Sequence, residues 1–507
     1  DSDESRGLGD VYKRQKTCRL LTTLITKKNE VYLKVNAEPH VHQELSDHFQ
    51  FDVPGAKYMP QYQKYKWDGK IRLYSPATGE IYAGLFDYLT DFLEERGYHY
   101  QIQDNNIYGR PTDTELLVSP EAIAGFVRSL SIPFKARDYQ LRAVYQALKY
   151  NRRLLLSPTG SGKSLIIYSI LRWHLHFDRE ILIIVPTVSL VEQLYKDFKE
   201  YGWNPRGYCH RISAGAEKFT DKPVVISTWQ SIYKEPRKFF KKFDVVIGDE
   251  AHLYKAKSLS GILTKCHDAK HRVGLTGTLD GMQTHQLVLE GLFGKCDRVT
   301  QTVDLMKKGH LAPLYVKILV LKHGFVPFED YQQEMDWIVQ NHRRNTLITN
   351  LALDLPGNTL VLFNYVEKHG IPLNEMLNSK VKDGRKTFFI HGGIDAYDRE
   401  EARSVCEKEK NAIILASYGT FSTGINIRNL HNVIFASPSK SRVRNLQSIG
   451  RVLRKGDNKA QAMLYDIADN CARGSKKNYT IRHLDERIKI YNEESFNYEI
   501  KEIKLND

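Results

Sequence analysis

Two short stretches hold residues whose types and spacing suit gripping a polyphosphate and activating water. The first is Ser157-Pro-Thr-Gly-Ser-Gly-Lys-Ser164. Gly160 and Gly162 free the chain of side-chain bulk, so the N–H groups of Thr159, Gly160, Ser161 and Gly162 can wrap a phosphate. Lys163 can reach β and γ oxygens, and the Ser164 hydroxyl suits Mg2+. A helix starting here adds the positive end of its dipole. The pattern usually opens with glycine; Ser157, also small, takes that place. The second stretch is Val245-Val-Ile-Gly-Asp-Glu-Ala-His252, an apolar run ending in two acids. Asp249 is placed to hold a metal through water and Glu250 to polarise the attacking water. Acids at strand ends also cap helices, and the phosphate loop upstream is what favours chemistry. His252 either couples the site to the next strand or fills a loop.

Such groups must be positioned by a scaffold, and the surrounding pattern supplies one. Apolar runs at Arg153–Leu156, Ile181–Val185, Val224–Ser227, Val245–Ile247 and Val273–Thr276 alternate with helical patterns such as Ser164–His176 and Leu190–Tyr201. Continuous apolar strands between helices indicate a parallel sheet covered on both faces. A second series follows at Thr359–Phe363, Thr387–Ile390, Ala412–Ala416, Val433–Ala436 and Ala462–Tyr465. The fold class is therefore α/β, with two tandem doubly wound domains of the RecA-like kind joined between Val299 and Pro313. Ahead of them, short alternating runs (Val31–Val35, Ile71–Tyr74) and two helices (His42–Phe49, Phe86–Gly97) read as a small α+β module. The expected division is 17–125, 126–305 and 306–507, with a charged helical tail from Lys476 packing back on the last domain. Ser5–Gln15 matches an in-frame translation of a transposase-type sequencing adapter, so residues 1–16 are set aside as a scar or tail.

The 507 residues carry 74 Lys+Arg against 60 Asp+Glu, a formal charge of +14, which favours a polyanionic partner. No apolar stretch approaches the ~20 residues of a bilayer span, which excludes a membrane-spanning helical protein. Six cysteines, none in a C-x-x-C pair, support neither a zinc ribbon nor a disulfide framework and suit a reducing interior.

Asp249-Glu-Ala-His252 together with the phosphate loop resembles the superfamily-two, DEAH-box-like helicases, and further motifs stand in that family's order. Arg137-Asp-Tyr-Gln140 resembles the adenine-reading glutamine motif, Ile184-Val-Pro-Thr187 and Ser227-Thr-Trp-Gln230 the strand-tracking motifs, and Leu275-Thr-Gly-Thr278 the coupling motif. Ser417-Tyr-Gly-Thr-Phe-Ser-Thr-Gly-Ile-Asn426 and Gln447-Ser-Ile-Gly-Arg-Val-Leu-Arg454 resemble the last two. The resemblance implies that Gln140 and Gly424 serve the nucleotide, and that Thr276 and Thr278 couple the site through His252. It further implies that Thr187, Thr228, Trp229, Gln230, Ser417 and Thr423 touch nucleic acid, and that Gln447, Arg451 and Arg454 complete hydrolysis. Arg451 and Arg454, three apart, are expected on one helix face, within reach of a γ-phosphate held by the other domain.

More narrowly, Tyr65-Lys-Trp-Asp-Gly-Lys-Ile-Arg72, Ala416–Gly424 and Phe496-Asn-Tyr498 resemble the UvsW-type recombination helicases of T-even phages. That resemblance implies an ATP- and Mg2+-dependent DNA helicase. Its substrates would be branched DNA or duplex–single-strand junctions, with RNA in hybrids, in recombination, replication restart and repair, and it would also anneal strands. A monomer in the cytoplasm is expected, the host's if the chain is phage-encoded. In the N-terminal module Lys66, Lys70 and Arg72 interleave with Trp67, a mixture suited to phosphate contact and base stacking, or equally to a small core with a basic rim. An RNA helicase, the translocase subunit of a restriction-type complex, and a DNA-binding scaffold with a vestigial ATPase remain the alternatives.

Overall fold

The structure, a computed structural model, describes residues 22–53, 55–103, 118–213, 215–382, 384–394, 404–422, 427, 429–437, 439–454, 461–472 and 476–505. The segment 1–16, Thr423 and Gly424 lie outside the described residues. The N-terminal module has strands β1 (Thr23–Lys27) and β2 (Tyr32–Asn36), helix α1 (Pro39–His48), and strands β3 (Gln50–Asp52) and β4 (Lys70–Arg72). Strands β5 (Tyr74–Ser75) and β6 (Glu80–Tyr82), helix α2 (Phe86–Glu95) and β7 (Tyr100–Ile102) follow. Five strands form one sheet in the order β5-β6-β2-β1-β7, while β3 and β4 pair as a separate hairpin. The run expected at Ile71–Tyr74 is thus divided between two sheets, because Leu73 turns inward between them.

Helix α3 (Asp138–Tyr150) leads into β8 (Arg152–Leu156), α4 (Lys163–Leu175), β9 (Ile181–Val185), α5 (Val188–Glu200), β10 (Cys209–Ile212) and β11 (Val224–Thr228). Then come β12 (Val245–Gly248), β13 (His271–Thr276), α6 (Gln283–Phe293) and β14 (Cys296–Arg298). All pairings in this sheet are parallel, in the order β10-β11-β9-β12-β13-β8-β14. Alternate residues of one strand feed opposite faces: Ile181, Ile183 and Val185 enter one apolar cluster, and Leu182 and Ile184 the other. The second cluster runs on into the N-terminal module through Leu33, Phe86 and Leu89. Buried Arg152 donates to the backbone oxygen and carboxylate of Glu30, each at 2.6 Å, and the Tyr88 hydroxyl donates to Glu290 at 2.6 Å. The module therefore rides on the first parallel sheet.

The link contains α7 (Thr302–Lys307), and the second sheet begins with β15 (Leu314–Lys322). It continues through β16 (Thr359–Phe363), β17 (Thr387–Ile390), β18 (Ile413–Ser417), β19 (Asn432–Phe435), α8 (Arg442–Val452), β20 (Ala462–Asn470), α9 (Tyr479–Glu493) and β21 (Asn497–Lys504). Its order is β17-β18-β16-β19-β20-β15-β21, again all parallel. The boundary expected at 125/126 falls inside helix Pro120–Ser129, whose Ile123 and Val127 pack with the first motor domain, and the one at 305/306 falls inside α7. The tail is helical as expected, yet after α9 the chain turns at Ser495 and adds β21 to the sheet edge. No helix among the described residues is long and apolar enough to cross a membrane.

Candidate functional site

The phosphate loop leaves the carboxyl end of β8, where open parallel sheets place ligands. Gly160 and Gly162 have φ of +83° and +86°, a left-handed backbone that favours glycine, and a Cβ on Gly162 would stand 2.3 Å from Gln140 Nε2. Ser157 is fully buried: its Oγ lies 2.6 Å from Ser161 Oγ and its N–H donates to Thr276 O at 2.7 Å. The serine in place of the usual first glycine thus ties the loop shut.

Gln140, which the resemblance assigns to adenine, links the loop to the start of α3. Its Nε2 donates to Ser161 O at 2.8 Å and its Oε1 accepts Arg137 N–H at 2.8 Å. A second N–H and a second lone pair remain for a base. Tyr139, which sequence reasoning missed, donates to the same Ser161 oxygen at 3.0 Å. The Ser164 hydroxyl is engaged with the Tyr201 phenol.

Asp249 and Glu250 emerge from the buried strand β12. Asp249 Oδ1 accepts the Glu250 N–H at 2.9 Å, and burial together with Glu250 pushes its carboxyl up. Burial alone would do the same to Glu250, but Lys163, His252 and Arg451 outweigh it and hold that carboxyl below its ordinary range. Glu250 sits at φ +49°, unusual for a residue with a side chain and of the kind found where geometry serves a site. Lys163 Nζ lies 3.6 Å from Glu250 Oε1, and His252 Nδ1 lies 3.4 Å from Oε2. The same Nδ1 is 3.0 Å from Thr276 Oγ1, which donates to Thr278 O at 3.0 Å. His252 thus touches the neighbouring strand β13. Asp249 and Ser164 are hard oxygen donors, and no cluster of three or more His, Cys, Asp or Glu able to hold a metal exists among the described residues. Two oxygens beside a phosphate loop fit Mg2+, which takes most of its ligands from phosphates and water.

The second domain closes on this loop through α8. The helix passes so near that a Cβ on Gly450 would lie 2.5 Å from Thr159 Cβ, and the link's Leu311 covers Gly160 just as closely. Gln447 is half-buried on α8. The expectation that Arg451 and Arg454 share one helix face does not hold. The helix ends at Val452 and the chain leaves it at Leu453, whose carbonyl accepts the Ala312 N–H at 2.8 Å. The two arginines still converge: burial and Arg454 push the Arg451 guanidinium down to about 10, while Glu250 pulls it up. Arg451 is therefore within electrostatic reach of the first domain's acid.

The residues assigned to nucleic acid fall into two groups. Thr187, Thr228 and Ser417 stand at the carboxyl ends of β9, β11 and β18 with their hydroxyls turned to local partners: Leu190 N–H at 3.4 Å, Ser231 Oγ at 2.8 Å and Thr420 Oγ1 at 2.8 Å. Gln230 is exposed and donates to Pro186 O at 3.3 Å, whereas Trp229 packs against the first domain's core. On the N-terminal hairpin, Trp67 donates its indole N–H to Lys70 O at 2.8 Å and Arg72 is ion-paired with Asp68, while Lys66 is exposed. Tyr65, one of the aromatics interleaved with these basic residues in the sequence, displays its ring to solvent, 97% exposed at φ +52°.

Residues 133–281 match the family described as Type III restriction enzyme, res subunit; residues 343–456 match the helicase conserved C-terminal domain; and residues 25–103 match the N-terminal domain of the DNA helicase UvsW. The chain is 32% identical over 501 residues to the ATP-dependent DNA helicase uvsW of Enterobacteria phage T4, covering 94% of this chain and 98% of that protein. It is 25% identical over 386 residues to the DNA 3'-5' translocase XPB2 of Sulfurisphaera tokodaii, covering 66% and 84%. The crystal structure of T4 UvsW superposes with a TM-score of 0.50 at 29% identity, over 96% of this chain and 100% of that one. S. cerevisiae Dbp5, bound to RNA and ADP BeF3, superposes at 0.53 with 14% identity over 78% and 96%, a likeness of fold alone.

Proposed function

The chain belongs to the UvsW family of superfamily-two helicases, and from that premise we propose that it is an ATP-dependent DNA helicase that unwinds or remodels branched DNA in recombination, replication restart and repair, and that also anneals strands. In this reading ATP lies between the two motor domains. Thr159–Ser164 wrap the phosphates, Gln140 meets the adenine, and Lys163 neutralises the β and γ oxygens. Glu250 orients the attacking water. Asp249 and Ser164 would hold Mg2+, which would supply neutralisation of the phosphate charge. Arg451, with Arg454 and Gln447 beside it, meets the negative charge that develops on the transferred phosphoryl group; such an arginine is typically worth about 10³–10⁵ in rate. His252, Thr276 and Thr278 pass the state of Glu250 to the strand ends where Thr187, Thr228, Gln230 and Ser417 stand. The N-terminal hairpin, with Lys66, Lys70 and Tyr65, selects junctions.

The observation that supports this reading most directly is the approach of α8 to the phosphate loop at Gly450, with Arg451 close enough to Glu250 for each to shift the other's proton affinity. The test is ATP hydrolysis measured in parallel with no polymer, single-stranded DNA, branched duplex DNA and RNA, with Lys163→Ala as the blank. Branched DNA should stimulate turnover most, and the variant should hydrolyse nothing while still binding DNA. Greater stimulation by RNA would make the chain an RNA helicase, and no stimulation by any polymer would make it a binding scaffold.

A further inference from the structure

We propose that Glu494, just past the end of α9, is a positioning residue that sets the angle at which α8 presents Arg451 to the ATP site; this rests on the reading of Arg451 given above. The two acids closing α9, Glu493 and Glu494, stand at the negative end of that helix's dipole, where a carboxylate is unfavourable. Their placement serves something other than α9. Both pair with Arg442, the first residue of α8. They are not equivalent. The Glu493 side chain is 57% exposed, whereas that of Glu494 is 16% exposed and makes a second contact: its Oε2 accepts the Thr302 hydroxyl at 3.0 Å, while its Oε1 lies 3.4 Å from Arg442 Nη2. Thr302 is the buried first residue of α7, in the link that leaves the first motor sheet. One carboxylate therefore joins the link, the C-terminal helix and the arginine-bearing helix.

The rest of α9 is anchored firmly enough for this joint to bear on position. Arg487 is fully buried, donates to Asp466 at 2.8 Å and to Ser439 O at 3.2 Å, and Tyr491 donates to the same Asp466 oxygen at 2.8 Å. Glu494 is thus fixed relative to the second sheet, and its bond to Thr302 spans to the link. Between these points lies a cavity of about 280 Å³. It is lined by Thr159, Gly277 and Thr278 on one side and by Leu446 and Gly450 of α8 on the other, with Glu494 in its wall. Across this gap α8 faces the first domain. It is supported at its far end, by Gly450 on Thr159 and the Leu453 carbonyl on Ala312, and at its near end by Arg442 through Glu494 and Thr302. These supports are about 12 Å apart at 1.5 Å per residue. Buried Asn445, Ser448 and Ile449 seat α8 in the second domain, and the two supports set the angle at which it meets the first, with which the Arg451 guanidinium, at the end of a long side chain, moves.

The test uses the full chain with Glu494→Ala, Glu494→Gln and Thr302→Val, Arg451→Ala for comparison and Glu493→Ala as the control. For each, kcat is measured with saturating DNA, affinity by titration with a non-hydrolysable ATP analogue, and melting temperature by scanning. Displacing a catalytic group by a fraction of an ångström to an ångström predicts a loss of about 10- to 100-fold in kcat for Glu494→Ala. Thr302→Val should lose less, Glu494→Gln should fall between wild type and Glu494→Ala, and Thr302→Val should add nothing in the Glu494→Ala background. Analogue affinity and melting should stay near wild type, as should every property of Glu493→Ala. Wild-type turnover in Arg451→Ala would remove the arginine reading itself. A slow Arg451→Ala beside wild-type kcat in Glu494→Ala and Thr302→Val would overturn this proposal, and so would a parallel fall of kcat, affinity and melting temperature, which would make Glu494 a structural residue. Should Glu494→Ala fail to fold, Thr302→Val, which removes only a hydroxyl, decides the question in the same way.

Discussion

Replacing Gly450 with alanine should push the two motor domains apart. A Cβ at this position would stand 2.5 Å from Thr159 Cβ, 2.9 Å from its Oγ1 and 3.1 Å from its Cγ2. Carbon atoms settle at about 3.5–4.0 Å, so helix and loop must part by roughly 1 Å. The variant should fold well, because Gly450 lies inside α8 with no positive φ, and alanine there gains about 1 kcal/mol of helix propensity. The cost therefore falls on the site. A 1 Å misplacement of a positioned group is worth about 10² in rate, or about 2.7 kcal/mol of transition-state stabilisation. Steady-state hydrolysis with saturating branched DNA should show kcat down by about that factor, and nucleotide affinity should change far less, since the loop and Lys163 belong wholly to the first domain. Thr159→Gly removes all three clashing atoms, so in that background Gly450→Ala should have almost no further effect. Wild-type turnover in Gly450→Ala, or an undiminished loss in the Thr159→Gly background, would refute the account of closure at this contact.

Three further outcomes follow from the same geometry. His252→Ala removes the 3.0 Å contact to Thr276 and should leave hydrolysis largely intact while strand separation fails; an equal loss of both would move His252 into the hydrolytic step. Changing Tyr65, Lys66 and Lys70 to alanine should weaken junction binding and flatten the salt dependence of log affinity by about 0.9 per lost phosphate contact, about 1.8 for the two lysines, with hydrolysis in the absence of DNA preserved; an unchanged slope by fluorescence anisotropy would make the hairpin a buttress. Burial and Arg179 hold buried His174 down to about 3, and burial and Arg344 do the same for His369, against an ordinary 6.5. Between those values the unfolded chain takes up protons that the folded one refuses, so stability should fall as pH drops below about 6.5, with a slope approaching 1.4 kcal/mol per pH unit for each histidine, and His369→Gln should flatten the pH dependence of denaturant unfolding.

The parts of the fold that were legible in the sequence are those buried on both faces. Ile181–Val185 and Thr359–Phe363 appear in the structure with the bounds their apolar runs suggest, because a central parallel strand has no polar side to interrupt it, and Thr387–Ile390, an edge strand, also keeps its expected bounds. The strands that escaped were mostly edges. β10 (Cys-His-Arg-Ile), β14 (Cys-Asp-Arg) and β21 (Asn-Tyr-Glu-Ile-Lys-Glu-Ile-Lys) lie at sheet margins, where charge on an exposed face costs nothing and discourages pairing with another chain. β15 is a different case: it is not an edge strand, and it begins at Leu314, directly after the link expected between Val299 and Pro313.

The candidate site divides in the same physical way. Each motif is contiguous, so its chemistry could be read from a few neighbouring residues, whereas the distances between motifs depend on contacts that no spacing encodes. Arg454 shows the difference: three positions from Arg451 implied a shared helix face, but the Ala312 N–H holds the Leu453 carbonyl between them and the helix has already ended. The contacts that set those distances gather at glycines. Gly162 admits the Gln140 amide, Gly160 admits Leu311 from the link, Gly450 admits Thr159 from the opposite domain, and Gly277 faces Lys163 Nζ. A glycine in sequence says only that a side chain is missing, and the neighbour that requires the space, often more than a hundred residues away, becomes identifiable only once the two domains are seen together. The candidate catalytic groups are therefore carried by local motifs, while their alignment is carried by positions where nothing projects, so substitutions at Gly450 should lower turnover although they remove no charged group.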